Sequence, residues 1–348
     1  MITNHVKEGT SWRAGIRGLG YYIPDFTVSN VDLAKFIDTN DSWIRKKIGI
    51  AERHFAEEEQ KTSDLALLAA RKALDNAGLS PEDIDLIILN TLTPDMRDPG
   101  TAPLIQALLG AKNAAAFDVN VGGCAGGVYG LSIGAMFITG GAYRNVLVIG
   151  ADVMSSIVPW RDRLVASIFG DSAGAVVLSR CKKNGLLSHG LWADGTNSDA
   201  TFIQKGASGY PYPFGSANPG FPYSEINGKL DGKKIWDFGT SAFPQSISDV
   251  AKEIGIPVQD IDLIISHQAN TNIIIEGMKR LGIPMDKTYV NVDKYGNTSS
   301  GSVYIALAEA LEKRPQAQGN VIALAAFGAG LSWGAAFFKV NAMEDFAC

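Results

Sequence analysis

Two stretches of the chain share the core Asp-Ile-Asp-Leu-Ile-Ile: Leu79-Ser-Pro-Glu-Asp-Ile-Asp-Leu-Ile-Ile-Leu-Asn90 and Ile256-Pro-Val-Gln-Asp-Ile-Asp-Leu-Ile-Ile-Ser-His267. Each follows a stretch whose apolar spacing predicts a helix, Ser63–Gly78 in the first case and Ala242–Gly255 in the second. Each runs into a short, branched apolar segment that predicts a buried strand. The chain therefore carries two copies of a helix–strand unit.

A second pair of matching segments lies downstream in the same order. In each copy a glycine-containing turn precedes a helix and then an apolar strand: Gly123–Tyr129, a helix through Met136 and Ala173–Ser179 in the first, and Gly296–Tyr304, a helix through Leu311 and Gly334–Val340 in the second. Strands that alternate with helices predict mostly parallel sheets covered on both faces. We therefore predict two related α/β halves, 1–183 and 184–348, which meet at the turn Lys182–Gly185. The stretch Gly206–Pro222 is predicted to be a long loop.

The bulk composition is that of an ordinary globular protein. The 348 residues are 46% hydrophobic and 19% charged, and the net charge of −5 argues against a nucleic-acid partner. The three cysteines, Cys124, Cys181 and Cys348, cannot build a disulfide framework and fit no zinc module. The first residues have no signal-peptide core, and no run reaches the length of a membrane span. We expect a cytoplasmic protein with no metal, no cofactor and no membrane partner.

Cys124 is a candidate nucleophile. It lies between glycines in Gly122-Gly-Cys-Ala-Gly-Gly127, after the strand-like Ala115–Val121 and before a predicted helix. Free N–H groups at a helix N-terminus stabilise a thiolate and predict a lowered pKa for this thiol. The flanking glycines let the backbone turn sharply and let a substrate approach. The same pattern also fits an inert cysteine buried in a tight turn.

Two polar residues of the second half could serve the same site. His267 ends an apolar strand, where ligands bind in α/β sheets, although a satisfied loop histidine fits equally well. Asn297, in a turn-like segment, is by itself best interpreted as a plain capping residue. The turn Gly328-Ala329-Gly330 lies between two predicted strands, so it suits an oxyanion better than a dinucleotide. Metallopeptidase, nucleotide-hydrolase and serine-hydrolase functions are not predicted.

Taken together, these segments resemble the beta-ketoacyl-[acyl carrier protein] synthase III family of the thiolase superfamily. The resemblance runs from Ile16-Arg-Gly-Leu-Gly-Tyr-Tyr-Ile-Pro24 to the last strand near Val340. Its motifs are Asp38–Ile44, Ala116–Val119, Cys124–Gly126, Phe169–Ala175, His267–Asn270, Gly296–Ser299 and Phe327–Gly330. The resemblance implies a thiolase fold of duplicated α/β halves in five layers, α-β-α-β-α, and a homodimer with Ala115–Val121 near its two-fold axis.

The resemblance also implies the chemistry. Cys124 would take the acyl group of an acyl-CoA, and the N–H groups of Cys124 and Ala329 would hold the oxyanion. His267 and Asn297 would hydrogen-bond the thioester of a malonyl-type donor, on CoA or on acyl carrier protein, while it loses CO2. The enolate would then attack the acyl-cysteine and give a beta-ketoacyl product. The residues implied at the CoA site are Trp43, Arg163, Asn270 and Lys47.

The chain departs from the family pattern at several positions. Asp98 stands before Pro99, where the family usually has a Phe that closes the acyl pocket of the neighbouring subunit. Lys47, Lys279 and Arg280 remain of the basic surface that receives the carrier protein in the family, but Asp237 and Asn272 stand where Lys and Arg are common. These departures favour a specialised relative over the housekeeping fatty-acid initiator.

Two other functions stay open at this stage, and a third, that of a degradative thiolase, is not predicted. A degradative thiolase would need a second cysteine near Gly328-Ala329-Gly330, which has none. A non-decarboxylating acyltransferase to an oxygen or nitrogen acceptor could keep Cys124 and His267, although Asn297 would then have no evident task. A non-catalytic partner subunit is disfavoured because all three reactive residues are present.

Overall fold

The computed structural model describes residues 12–203 and 228–346, so the predicted loop Gly206–Pro222 lies outside the described residues. The strands are β1 (Arg13–Tyr22), β2 (Phe26–Ser29), β3 (Glu52–Phe55), β4 (Leu86–Asn90), β5 (Ala115–Val119), β6 (Asn145–Asp152), β7 (Ser172–Cys181), β8 (Gly185–Ala193), β9 (Thr201–Ile203), β10 (Gly228–Leu230), β11 (Leu263–Ser266), β12 (Val321–Gly328) and β13 (Ser332–Lys339). The α-helices are α1 (Asn30–Leu33), α2 (Asp41–Lys47), α3 (Thr62–Ala77), α4 (Thr101–Leu109), α5 (Gly126–Thr139), α6 (Arg163–Ala166), α7 (Gly232–Glu253), α8 (Thr271–Leu281), α9 (Val292–Tyr295) and α10 (Ser302–Lys313).

Two sheets share one strand order. The first sheet has the order β1-β7-β6-β4-β5 and the second has the order β8-β13-β12-β11. Replacing β1, β7, β6 and β4 by β8, β13, β12 and β11 converts one order into the other. The topology therefore confirms the duplication that the matching segments predict, with β4 and β11 as the two copies of the Asp-Ile-Asp-Leu-Ile-Ile strand.

The prediction of mostly parallel sheets is wrong. Strands β4, β5 and β6 are parallel, as are β11 and β12, but the remaining neighbours in both sheets are antiparallel. In the first half residues 153–171, with the short helix α6, connect β6 to the antiparallel β7, and in the second half a tight turn joins β12 directly to β13. A short connection of this kind can join only antiparallel strands.

The layers follow from which side chains bury together. Helices α3 and α4 cover the outer face of the first sheet, and α7 and α8 cover the outer face of the second. Helices α5 and α10 lie between the sheets in a shared core that contains residues of both halves. The order α-β-α-β-α is the predicted five-layered arrangement. Among the described residues, no helix has the length and apolar character to cross a membrane.

Close packing on the first sheet depends on two glycines of β1. A Cβ at Gly18 or Gly20 would lie 2.4 Å or 2.3 Å from backbone atoms of α3, so only glycine admits the helix at this distance. The helix ends at Gly78, whose φ of 63° is the left-handed conformation common at helix ends.

The predicted boundary at Lys182–Gly185 falls in the turn where the chain passes from β7 in the first sheet to β8 in the second. The division into 1–183 and 184–348 stays a prediction. One helix begins earlier than predicted, since α7 starts at Gly232 and the sequence placed its start at Ala242. It opens on a glycine and two lysines, Gly232–Lys234, and Asp231 caps it by accepting from the N–H groups of Lys233 and Lys234.

Candidate active site

Cys124 lies in a short helical turn between β5 and α5. The 3₁₀ turn spans Gly123–Ala125, and α5 begins at Gly126. Gly122 and Gly123 have φ values of 48° and 56°, which favour glycine. A Cβ at Gly122 would lie 1.9 Å from the carbonyl oxygen of Ala329, so the turn between β12 and β13 packs directly on the cysteine turn.

The predicted lowering of the Cys124 pKa is wrong. The residue is only half-buried, yet dense packing around Sγ removes water from it, and this burial raises its pKa to about 12. A hydrogen bond from Asn297 acts in the opposite direction, and the negative charge of Asp152 raises the pKa further. The resting nucleophile is a thiol.

Asn297 is held against the cysteine from the second half. Its Oδ1 and Nδ2 atoms both lie 3.8 Å from Sγ of Cys124. Oδ1 also accepts from the backbone N–H of Ser299 at 2.9 Å, which fixes the amide and leaves Nδ2 as a donor. The backbone of Asn297 is anchored by its N–H, which donates to the carbonyl of Ile168 at 2.9 Å. The side chain therefore does cap a turn, but it also faces the thiol.

His267 directly follows β11, and the residue is only 1% exposed. Its Nδ1 lies 2.6 Å from Oγ of Ser302, the first residue of α10. The N–H of Gln268 donates to the same Oγ at 3.4 Å, which leaves the hydroxyl proton of Ser302 available to donate to Nδ1. Nε2 is then the protonated nitrogen and can donate to a substrate. The ring packs edge-on against Phe327, with centroids 5.4 Å apart.

A buried carboxylate, which the sequence analysis did not identify, joins the two halves behind the cysteine. Asp152 ends β6 and accepts from the N–H of Leu92 at 2.6 Å and from the hydroxyl of Thr91 at 3.2 Å. Ser300, from the second half of the chain, also donates to this carboxylate, through Oγ at 2.7 Å and through its backbone N–H at 3.2 Å. Burial raises the pKa of Asp152, and these hydrogen bonds lower it. The contact fixes the segment that carries Asn297.

These side chains open on a cavity of about 600 Å³ that is lined by Cys124, His267, Asn297 and the turn Gly328–Gly330. Among the described residues, no backbone carbonyl accepts from the N–H of Ala329. This free donor lies beside the cysteine turn, as an oxyanion site requires.

A second cavity of about 500 Å³ is lined by Trp43, Lys47 and Asn270 and reaches the catalytic cavity at Asn297. Arg163 does not line it, but its guanidinium lies 5.4 Å from the Trp43 ring and donates to the carbonyl of Asp38. Asn270 caps α8, and its Nδ2 donates to the carbonyl of Lys47 at 3.2 Å. The structure thus brings together all four residues implied at the CoA site.

Two family models match the chain. "3-Oxoacyl-[acyl-carrier-protein (ACP)] synthase III" matches residues 117–195, and its C-terminal counterpart matches residues 251–340. A beta-ketoacyl-[acyl-carrier-protein] synthase III of Caldanaerobacter subterraneus subsp. tengcongensis is 45% identical over 327 residues, which cover 94% of this chain and 97% of the relative. The chain belongs to the beta-ketoacyl-[acyl-carrier-protein] synthase III family.

Other synthase III proteins agree with this assignment. The relative from Symbiobacterium thermophilum is 42% identical over 322 residues, covering 92% of this chain and 96% of its own. The crystal structure of the Aquifex aeolicus 3-oxoacyl-[acyl-carrier-protein] synthase III superposes with a TM-score of 0.84 at 38% identity, covering 94% of this chain and 99% of that chain. The predicted family, the thiolase fold and the enzyme class are confirmed.

The structure explains why a serine-hydrolase pattern in the sequence does not mark a hydrolase site. The segment Gly170-Asp-Ser-Ala-Gly174 matches the G-x-S-x-G pattern of serine hydrolases. In this synthase III, Ser172 opens β7 and is fully buried in a strand, whereas a hydrolase serine lies exposed at a strand-to-helix elbow. The pattern therefore has no hydrolytic role here.

The surface beside the second cavity carries mixed charge. Asp237 forms an ion pair with Lys233, with Nζ and Oδ2 2.8 Å apart. Asn272 donates to the backbone carbonyls of Lys46 and Lys47, so it stabilises the end of α2 and adds no charge. Arg280 is paired with Glu276 at 2.9 Å. Positive charge available for an acidic partner is therefore reduced on this face.

His267 leads to a prediction about pH. Burial lowers its pKa from 6.5 to about 3, so the imidazole stays neutral where a free histidine becomes cationic. We expect the donor half-reaction of the pre-acylated enzyme, followed as CO2 release, to be flat from about pH 8 to about pH 5 with respect to this residue. A decline with a midpoint near 6.5 would show that a cationic histidine forms and matters.

Folding provides the control for this pH series. Because the unfolded chain takes up the histidine proton first, His267 costs the folded state stability as the pH falls from 6.5 toward 3. Circular dichroism at each pH therefore has to establish that the enzyme is folded, and His267→Gln should lose less stability than the wild type over that range.

Proposed function

We propose that this synthase III transfers an acyl group from acyl-CoA to Cys124 and condenses it with a malonyl-type thioester to give a beta-ketoacyl thioester. The observation that carries the proposal is the convergence of a cysteine thiol, an asparagine amide and a neutral histidine on one cavity: Cys124, Asn297 and His267. The relatives are named as synthases of a beta-ketoacyl-[acyl-carrier-protein], which supports a ketoacyl product on a carrier protein. No cofactor takes part in the proposed reaction.

In the first half-reaction Sγ of Cys124 attacks the thioester carbonyl of acyl-CoA. Because the pKa of the thiol is raised to about 12, the proton leaves as the carbon–sulfur bond forms and is carried off by the departing CoA thiol. The oxyanion would lie at the N–H groups of Cys124 and Ala329. The second cavity, with Trp43 and Lys47, would hold the CoA.

In the second half-reaction the donor thioester oxygen would accept from Nε2 of His267 and Nδ2 of Asn297. Loss of CO2 leaves two electrons on the α-carbon, and negative charge develops on that oxygen as the enolate forms. A neutral histidine donor suits this step, since it supplies a hydrogen bond from an N–H whose proton is held too tightly to be transferred to the enolate. The α-carbon then attacks the acyl carbonyl, the carbon–sulfur bond to Cys124 breaks, and the thiolate regains a proton.

The test separates the two half-reactions. The purified enzyme is incubated with a panel of acyl-CoAs, and intact-protein mass spectrometry records the adduct on Cys124. The acylated enzyme is then given malonyl-CoA or malonyl carrier protein, and CO2 and product are measured. Acylation without CO2 release from either donor would support the non-decarboxylating acyltransferase instead, and absence of any adduct would support the non-catalytic subunit.

We also propose that the enzyme is a cytoplasmic homodimer. Strand β5 is an edge of the first sheet, and its apolar residues are only half-buried in the single chain. An exposed edge strand is a template for pairing with a second copy. A reduced thiol and a CoA substrate suit the cytoplasm.

The dimer gives a prediction. Sedimentation at micromolar concentration should report twice the chain mass of 37.0 kDa. Ala115→Glu should give monomers, because Ala115 is exposed at the start of β5 and the two-fold axis would bring like charges together. Ala317→Glu, an exposed alanine in the second half, is the matched control and should stay dimeric. An active wild-type monomer would contradict the proposal.

A further inference from the structure

A fully buried arginine lies behind the segment that carries Asn297. Arg53 belongs to β3 and is 0% exposed, and its guanidinium forms no ion pair with any residue that the structure describes. Burial lowers its pKa to about 10 and the charge of the adjacent Glu52 raises it, so the group stays cationic at neutral pH. A charge removed from water is costly unless other groups replace its hydration. Hydrogen bonds have to supply that replacement here.

Three acceptors from separate parts of the first half surround the guanidinium. Nη1 donates to Oδ1 of Asn30 at 2.8 Å and to the carbonyl of Val28 at 3.3 Å. Nη2 donates to the carbonyl of Ser167, the residue after α6, at 2.8 Å. The amide of Asn30 is itself fixed, because its Nδ2 donates to the carbonyl of Ile50 at 2.8 Å. Arg53 therefore ties the end of α6 to β2 and to the start of α1.

The residue that follows Ser167 holds the backbone of Asn297. The carbonyl of Ile168 accepts from the N–H of Asn297 at 2.9 Å. The stem of Arg53 lies directly against this contact: a Cβ at Gly296 would lie 3.3 Å from Cβ of Arg53 and 2.7 Å from the carbonyl oxygen of Ile168. Two consecutive carbonyls of one buried segment thus bind the guanidinium and the backbone of the catalytic asparagine.

We propose that Arg53 is a positioning residue of the donor half-reaction, which holds the backbone of Asn297 and so the amide at its productive place. Without the guanidinium, the buried carbonyl of Ser167 loses its donor, and the segment that includes Ile168 can relax. A displacement of about 1 Å in a catalytic group can cost about a hundredfold in rate. Acylation should be spared, because the nucleophile and its oxyanion donors lie on other turns. This inference rests on the proposed role of Asn297 in decarboxylation.

The experiment compares the two half-reactions at saturating substrate. Adduct formation on the cysteine is followed by intact-protein mass spectrometry, CO2 release is measured on the pre-acylated enzyme, and thermal unfolding reports stability. Arg53→Met removes the hydrogen-bond donors and keeps much of the volume, and Arg53→Lys keeps a charged donor. Leu65→Ala, at a buried position of α3 on the outer face of the first sheet, is the control for lost stability alone.

We expect Arg53→Met to form the adduct at nearly the wild-type rate but to release CO2 on the order of tenfold more slowly. Arg53→Lys should lose less, and Leu65→Ala should not change the ratio of the two rates. In the Asn297→Ala background, Arg53→Met should cause no further loss of CO2 release, because effects of residues that act as a unit are not additive.

Three results would overturn the inference and leave Arg53 a purely structural residue. They are unchanged CO2 release in Arg53→Met, an equal slowing of both half-reactions, and the same tenfold loss in the Asn297→Ala background. If Arg53→Met does not fold, Arg53→Lys is judged by the same three results. A wild type that is acylated but releases no CO2 from either donor would instead overturn the proposed decarboxylative function.

Discussion

Cys124→Ala is expected to abolish covalent labelling by any acyl-CoA and to reduce product formation about a thousandfold or more, as the loss of a nucleophile does in other enzymes. The fold should persist, because Cys124 is half-buried and the variant removes only one atom that faces the cavity. Intact-protein mass spectrometry measures the adduct, and thermal unfolding measures the stability of the variant.

A second cysteine supplies the control. Cys181 is buried in β7, and burial raises the pKa of its thiol to about 11. Cys181→Ala should lose some stability through the cavity it leaves but should still be acylated. Undiminished labelling of Cys124→Ala, or loss of labelling only in Cys181→Ala, would mean that the acyl group is carried elsewhere.

The second large effect is expected at Asn297, and it should fall on one half-reaction only. Asn297→Ala should still be acylated at Cys124, but CO2 release by the pre-acylated enzyme should fall on the order of a hundredfold, the usual cost of losing one oxyanion donor. The reason lies in the fixed amide: with Oδ1 held by the N–H of Ser299, only Nδ2 is left to donate to the donor thioester.

Asn297→Asp sharpens this experiment because it keeps the shape and the acceptor for Ser299 but removes the donor. Its carboxylate would repel the developing enolate, so CO2 release should be slower than in Asn297→Ala. Asn120→Ala, at another amide lining the same cavity, is the matched control and should release CO2 at nearly the wild-type rate. If Asn297→Ala condenses at the wild-type rate, decarboxylation is not assisted there, and the non-decarboxylating acyltransferase becomes the better proposal.

The sequence predicted those parts of the fold that depend on short, local patterns of residues. The repeated Asp-Ile-Asp-Leu-Ile-Ile core marked β4 and β11, and the glycine turns marked the starts of α5 and α10. The antiparallel return of β13 could not be seen this way, because its direction depends on the length of the turn and not on apolar spacing. The start of α7 at Gly232 was likewise missed, because the helix opens on a glycine and two lysines.

The candidate site shows the same division. Cys124, His267 and Asn297 could be named because each occupies a recognisable motif. Asp152 and Ser302 could not, since their roles depend on contacts with residues far away in sequence, Ser300 and His267. The raised pKa of Cys124 was missed for a related reason: a motif indicates the nearby helix end but not how tightly later segments of the chain pack around Sγ.

The contact between Asp152 and Ser300 has a consequence for how activity should be lost. Cys124 comes from the first half and both of its partners come from the second, and this buried carboxylate joins the two segments behind them. A molecule whose halves have separated would keep a cysteine but no donor group beside it. Activity therefore requires that the two halves stay packed together. During gradual denaturation we expect CO2 release to disappear no later than the first loss of tertiary structure.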